Sequence, residues 1–200
     1  MKKIENWNEI EAKGMDDFKA LPIGAYECKI VNAVENYNEQ SGKTTLKVMV
    51  DIASGEYKDY FKKRYDSNTS ADRKWDNNAT KYLTFEGENA AFFKGFITCV
   101  ENSNVGYTWN WDEKTLRDKK VCGVFQYEEY EKQDGTRTVK VRLNKFRSLD
   151  KMKDIEVSDS VKMLNGSYMT IDDYNENKDV NKMKNMFGDI VEVSENSLPF

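Results

Sequence analysis

Apolar and polar positions alternate along the first third of the chain, and the alternation predicts strands. Leu21-Pro22-Ile23-Gly24 is a turn signal leading into a strand from Ala25 to Val34, on which Tyr26, Cys28 and Ile30 share one face. Asn38-Glu39-Gln40-Ser41-Gly42-Lys43 reads as a hairpin loop. Beyond it Leu46, Val48, Val50 and Ile52 alternate with Lys47, Met49 and Asp51, as a half-buried second strand requires. Ser54-Gly55 then turns the chain into an expected third strand, Tyr57 to Tyr65, and residues 66–80 read as a long polar loop.

The period changes after that loop. Phe92, Phe96 and Val100, joined by Phe93 and Ile97, form one apolar stripe and predict a helix from about Glu88 to Glu101. Gly95 inside it costs about 1 kcal/mol relative to alanine, which suggests close packing at that point. A short charged helical stretch is expected over Asp112 to Lys120. Val121 to Glu131 and Thr136 to Arg147 flank Asp134-Gly135, a strong hairpin signal, with Val139, Val141 and Leu143 on one face and Thr138, Lys140, Arg142 and Asn144 on the other.

Three strands, a helix and a two-stranded hairpin give a mainly β fold. An OB-like five-stranded barrel with its helix between strands 3 and 4 is the arrangement that fits first; another small β-barrel or an α+β sheet fits nearly as well. Past residue 150 the pattern dissolves into Asn, Asp, Lys and Met, with one short candidate helix around Val180 to Phe187. The expected division is an N-terminal arm or short helix over 1–20, the OB-like domain over 21–150 and a flexible acidic tail over 151–200.

Charge sharpens this division. The net charge is −4, yet residues 1–150 carry 25 basic and 25 acidic side chains, so the whole excess lies in the last quarter. A neutral body can still carry a basic stripe. Histidine is absent, which excludes Ser-His and Cys-His nucleophiles, His-ligated metals and imidazole acid–base catalysis. No phosphate-binding glycine motif is present, and only carboxylate-held metals remain open to an enzyme. Cys28, Cys99 and Cys122 are odd in number and far apart, which suits reduced core residues rather than disulfides or zinc ligands. With no membrane-spanning run and no signal-peptide pattern, a cytoplasmic protein without a cofactor is expected.

Binding single-stranded DNA without sequence preference needs cations that track phosphates and aromatic faces on which bases stack. Tyr57-Lys58-Asp59-Tyr60-Phe61-Lys62-Lys63-Arg64-Tyr65 supplies both. On a strand Tyr60, Lys62 and Arg64 share the outer face while Phe61 and Tyr65 point to the core. Lys140 and Arg142, followed by Lys145 and Arg147, offer a second basic strand. Trp109 and Trp111 form either a stacking platform or a buried plug, and Trp75 lies in a polar loop beside Arg73 and Lys74. The DNA-binding candidates are therefore Tyr60, Lys62, Arg64, Trp75, Trp109, Trp111, Lys140, Arg142 and Arg147.

Leu198, Pro199 and Phe200 follow an acidic strip and suit a partner pocket with an apolar hole and a basic rim. This tail resembles that of bacterial single-stranded-DNA-binding proteins, with Leu198 in place of isoleucine and the acids spread out. The body resembles a family of small proteins from phages of Gram-positive bacteria, thought to bind single-stranded DNA. The resemblance rests on Leu21-Pro22-Ile23-Gly24-Ala25-Tyr26, Gly55-Glu56-Tyr57-Lys58, Phe92-Phe93-Lys94-Gly95-Phe96-Ile97-Thr98, and Trp111-Asp112 through Lys119-Lys120 to Gly123-Val124-Phe125. It covers roughly residues 20–150 and implies a role in phage DNA replication or recombination, with replication or recombination proteins as partners of the tail. The competing expectations are an adaptor that binds proteins only and, less favoured, a carboxylate-metal nuclease.

Overall fold

The computed structural model describes residues 19–39 and 42–178. In chain order the strands and helices are β1 (Gly24–Asn38), β2 (Lys43–Ile52), α1 (Tyr60–Ser67), β3 (Thr80–Thr84), α2 (Ala90–Ser103), β4 (Lys120–Glu131), β5 (Arg137–Arg147), β6 (Ser160–Lys162) and β7 (Tyr168–Thr170). Short 3-10 turns stand before β3, α2 and β4 and after β5. The seven strands form one sheet with the path β3-β2-β1-β4-β6-β7, and β5 pairs with the other side of β4. The sheet curls so that β3 and β5 approach, but no ladder joins them. The protein is mainly β, built on a seven-stranded sheet that is not closed.

The alternation on β2 is realised as expected: Leu46, Val48, Val50 and Ile52 are buried. On β1 Cys28 and Ile30 are buried, and a bulge between Ile30 and Asn32 then brings Ala33 to the same side. The β4–β5 hairpin also forms, and Gly135 takes the left-handed backbone (φ 79°) that its turn requires. A second bulge opposite Val124/Phe125 leaves Asn144 outside the pairing. Leu143 and Phe146 therefore both face inward, while Lys145 and Arg147 stay exposed. At the centre Phe61 and Phe125 stack at 5.7 Å, with Tyr26 edge-on to Phe125 at the same distance.

Tyr57 to Tyr65 is not a strand. It is a turn followed by α1, and the cause lies outside the segment. The buried Asp51 carboxylate on β2 accepts hydrogen bonds from the amides of Phe61 (2.9 Å) and Lys62 (3.2 Å), so it caps the helix from a neighbouring strand. The third strand is instead Thr80–Thr84, which falls at the end of the expected loop. The charged stretch before β4 is a single 3-10 turn, Glu113–Leu116.

α2 buries Phe93, Phe96, Ile97 and Val100, whereas Phe92 is 75% exposed. Close packing at Gly95 is not found: a methyl group there would meet nothing within 4 Å. Asn104, the residue that ends α2, fixes the helix to β4. Its amide donates to the carbonyls of Val100 and Lys120, each at 2.7 Å, and its oxygen accepts from the Lys120 amide at 2.9 Å.

Order continues past residue 150, so the expected boundary lies inside the folded region. β6 pairs in parallel with β4 through Tyr127↔Val161 and Glu128↔Lys162, and β7 pairs with β6. Val161 is buried, as is Tyr174 on a helical segment at 171–178. The helix expected around Val180 to Phe187, the arm over residues 1–18 and the Leu198, Pro199, Phe200 tip lie outside the described residues.

Candidate nucleic-acid interface

Where β3 and β5 approach without pairing, α2 lies beside the seam and a groove of about 700 Å³ opens. Phe96 forms its floor and packs on Phe146 with ring centroids 4.7 Å apart, which ties α2 to β5. One helical turn earlier, Phe92 projects over the groove. Tyr82, half exposed, stands on β3, with the Lys47 ammonium 5.8 Å from its ring centre.

Four cations line this groove: Lys81 from β3, Lys145 and Arg147 from the bulged end of β5, and Lys151 from the 3-10 turn after it. No Asp or Glu lines it, and none of the four cations makes an ion pair among the described residues. Lys81 carries the clearest electrostatic signature. Burial pushes its ammonium below the ordinary lysine range and Lys162 pushes it further; Glu128 pulls back against them, and Arg142 adds the smallest downward push. A half-buried cation among like charges is poised to gain an anionic partner such as a phosphate.

Of the nine DNA-binding candidates drawn from the sequence only Arg147 lines this groove, together with Lys145 from the same expected basic strand. Tyr60, Arg64 and Lys140 line a different cleft of about 410 Å³, together with Leu21, Tyr127 and Asp76. There the Tyr60 hydroxyl accepts from the Leu21 amide (3.2 Å), and Arg64 pairs with Asp76 (3.4 Å) while its guanidinium stands 5.7 Å from the Tyr60 ring centre. The Lys140 ammonium sits 4.0 Å from the centre of the Tyr130 ring.

The shared face of Tyr60, Lys62 and Arg64 does not exist on a helix, where residues four apart align. Lys62 points elsewhere and pairs with Asp66. Arg142 pairs with Glu128 at 3.6 Å. Trp75 is held in place, its indole donating to the Val50 carbonyl at 3.2 Å and its ring lying against Tyr65. Trp109 is packed against the core, whereas Trp111 is 78% exposed; both line a third cleft that shares no residue with the groove.

Sequence reasoning missed Lys81, Tyr82, Phe92 and Lys151 as parts of one surface. No local signal joins them, since they stand on β3, on α2 and in the turn after β5. Among the described residues no group of three or more Cys, Asp or Glu side chains is placed to hold a metal ion, and no helix is long and apolar enough to cross a membrane. No protein-family model matches the chain, and the search of curated proteins finds no match either.

Proposed function

We propose that the protein binds single-stranded DNA, largely without sequence preference, in the groove between α2, β3 and β5. The observation that carries this reading is the lining: four cations without an acid, one of them Lys81, beside the exposed rings of Tyr82 and Phe92. Phosphates supply the anions the lysines lack, and unpaired bases supply faces for the rings, each stack contributing about 1–3 kcal/mol. A duplex keeps its bases stacked on one another and gains only the phosphate contribution.

The strand order also supports the reading. The β3-β2-β1-β4-β5 ladders, with α2 between β3 and β4 in the chain, follow the order of a five-stranded OB barrel whose final seam is the β3–β5 gap. β6 and β7 are then additions to that core. In this proposal the protein coats single strands during phage DNA replication or recombination and does no catalysis, and Leu198, Pro199 and Phe200 recruit other proteins.

Fluorescence anisotropy of a labelled oligo-dT, titrated at low and at high salt, tests the reading. We expect binding that weakens steeply with salt, and much weaker binding to the matching duplex. Absence of binding at low salt, or equal affinity for the duplex, would overturn it. Deleting Leu198 to Phe200 should spare oligo-dT binding while removing partner capture; equal loss of both would refute that division of roles.

A further inference from the structure

The third cleft differs from the groove in every respect that matters to a ligand. Phe85, Phe93, Trp109, Trp111 and Leu46 enclose about 100 Å³, the scale of one side-chain head group, with Glu35 and Glu113 as the charged lining residues. Neither glutamate makes an ion pair among the described residues, and no Lys or Arg lines the cleft. The ring centroids of Phe93, Trp109 and Trp111 form a near-equilateral triangle, with sides of 6.3, 6.3 and 6.5 Å and interplanar angles between 33° and 74°. A point equidistant from the three centroids lies roughly 4 Å from each, within the ~6 Å over which a ring turned face-on attracts a cation.

Trp111 is held there at a conformational cost. Its φ of 68° is a left-handed backbone that a bulky side chain rarely adopts, and its indole is mostly exposed. Neighbouring polar groups fix the turn: the Asn110 side-chain oxygen accepts from the Asp112 amide (3.2 Å), and the Asp112 carboxylate accepts from the Lys114 amide (3.0 Å). The chain thus presents a large apolar ring to solvent beside two unpaired carboxylates. That pairing of chemistries attracts a cation with a flat or apolar surface and repels a phosphate.

We propose that Phe93, Trp109 and Trp111, with Glu35 and Glu113, form a docking cleft for an arginine side chain presented by a partner protein. Arginine fits because its guanidinium is planar, stacks on rings and pairs with carboxylates at its edge. The cleft and the DNA groove share no residue, so a partner can dock here while a strand lies in the groove.

The test uses the full chain and an acetylated Leu-Arg-Leu amide peptide, followed through the tryptophan indole N–H signals in proton–nitrogen correlation spectra. We expect a saturable shift of the Trp111 signal at peptide concentrations on the order of millimolar. The combined Glu35→Gln and Glu113→Gln variant should weaken the peptide roughly tenfold and leave oligo-dT affinity unchanged. The same peptide with citrulline, which is neutral and nearly isosteric, should produce no shift. No shift with the arginine peptide, an equal shift with citrulline, or displacement of the peptide by oligo-dT would each overturn the assignment.

Discussion

Asp51 on β2 holds the first turn of α1 through the amide of Phe61, ten residues further along the chain. Asp51 is 3% exposed, and its carboxylate accepts from three backbone N–H groups, those of Ile52, Phe61 and Lys62. Phe61 is thereby set against Phe125 at the centre of the core. Asp51→Ala leaves buried amides without an acceptor and should cost about 2–4 kcal/mol, read from urea unfolding.

The same carboxyl gives a pH dependence with a definite sign. Burial holds it above its ordinary 3.8, although the three amides pull the other way. A carboxyl that protonates more readily in the folded state adds stability below its unfolded value and withdraws it as pH rises through the folded one. Relative to Asp51→Asn, the wild-type chain should therefore gain stability as the medium is acidified toward 3.8. A gap that moves the opposite way would contradict the assignment.

Lys81 sets stability against binding. Removing a half-buried cation from beside Lys162 and Arg142 relieves repulsion, so Lys81→Met should raise the thermal midpoint while weakening oligo-dT. Lys145→Ala with Arg147→Ala should lower the slope of log affinity against log salt by about 0.7 for each phosphate no longer neutralised. Lys62→Ala should change neither, because Lys62 pairs with Asp66 and does not line the groove.

Phe92 and Trp109 make a contrasting pair of aromatics. Phe92→Ala should hardly affect stability, since the ring is exposed, but should weaken single-strand binding by about 1–3 kcal/mol. The Trp109 indole N–H is buried with no hydrogen-bond partner among the described residues. Trp109→Phe discards that unmet donor and should leave stability within about 1 kcal/mol of wild type in thermal melts.

Two glycines should respond in opposite directions. A methyl group on Gly123 would lie 2.8 Å from the Cys28 sulfur and 3.2 Å from both Leu143 and Phe125, so Gly123→Ala should cost about 1–3 kcal/mol. Gly95→Ala adds a methyl group in open space on a helix and should stabilise by about 0.4–1 kcal/mol. Chemical denaturation of the two variants separates them.

The elements readable from the sequence are those whose determinants are local. Strict alternation marks β2, Asp134-Gly135 marks the β4–β5 hairpin, and the Phe93–Val100 stripe marks α2. Tyr57 to Tyr65 misleads because its alternating rings and cations suit a strand, while the cap that makes it a helix comes from Asp51. β3 is only five residues long and half exposed, and β6 and β7 have three residues each, too few to show a period. The groove is legible only at Lys145 and Arg147, because Lys81, Phe92 and Lys151 reach it from segments that only the folded sheet brings together.

The bulge at Asn144 makes β5 serve two surfaces with one stretch of chain. Upstream of it odd-numbered residues turn inward; downstream the even-numbered Phe146 does, and the odd-numbered Lys145 and Arg147 are released to the groove. Binding chemistry here is a matter of parity. Straightening the bulge without removing a residue would turn Lys145 and Arg147 inward and Phe146 outward, whereas deleting Asn144 would restore an unbroken ladder and keep both the core and the basic rim.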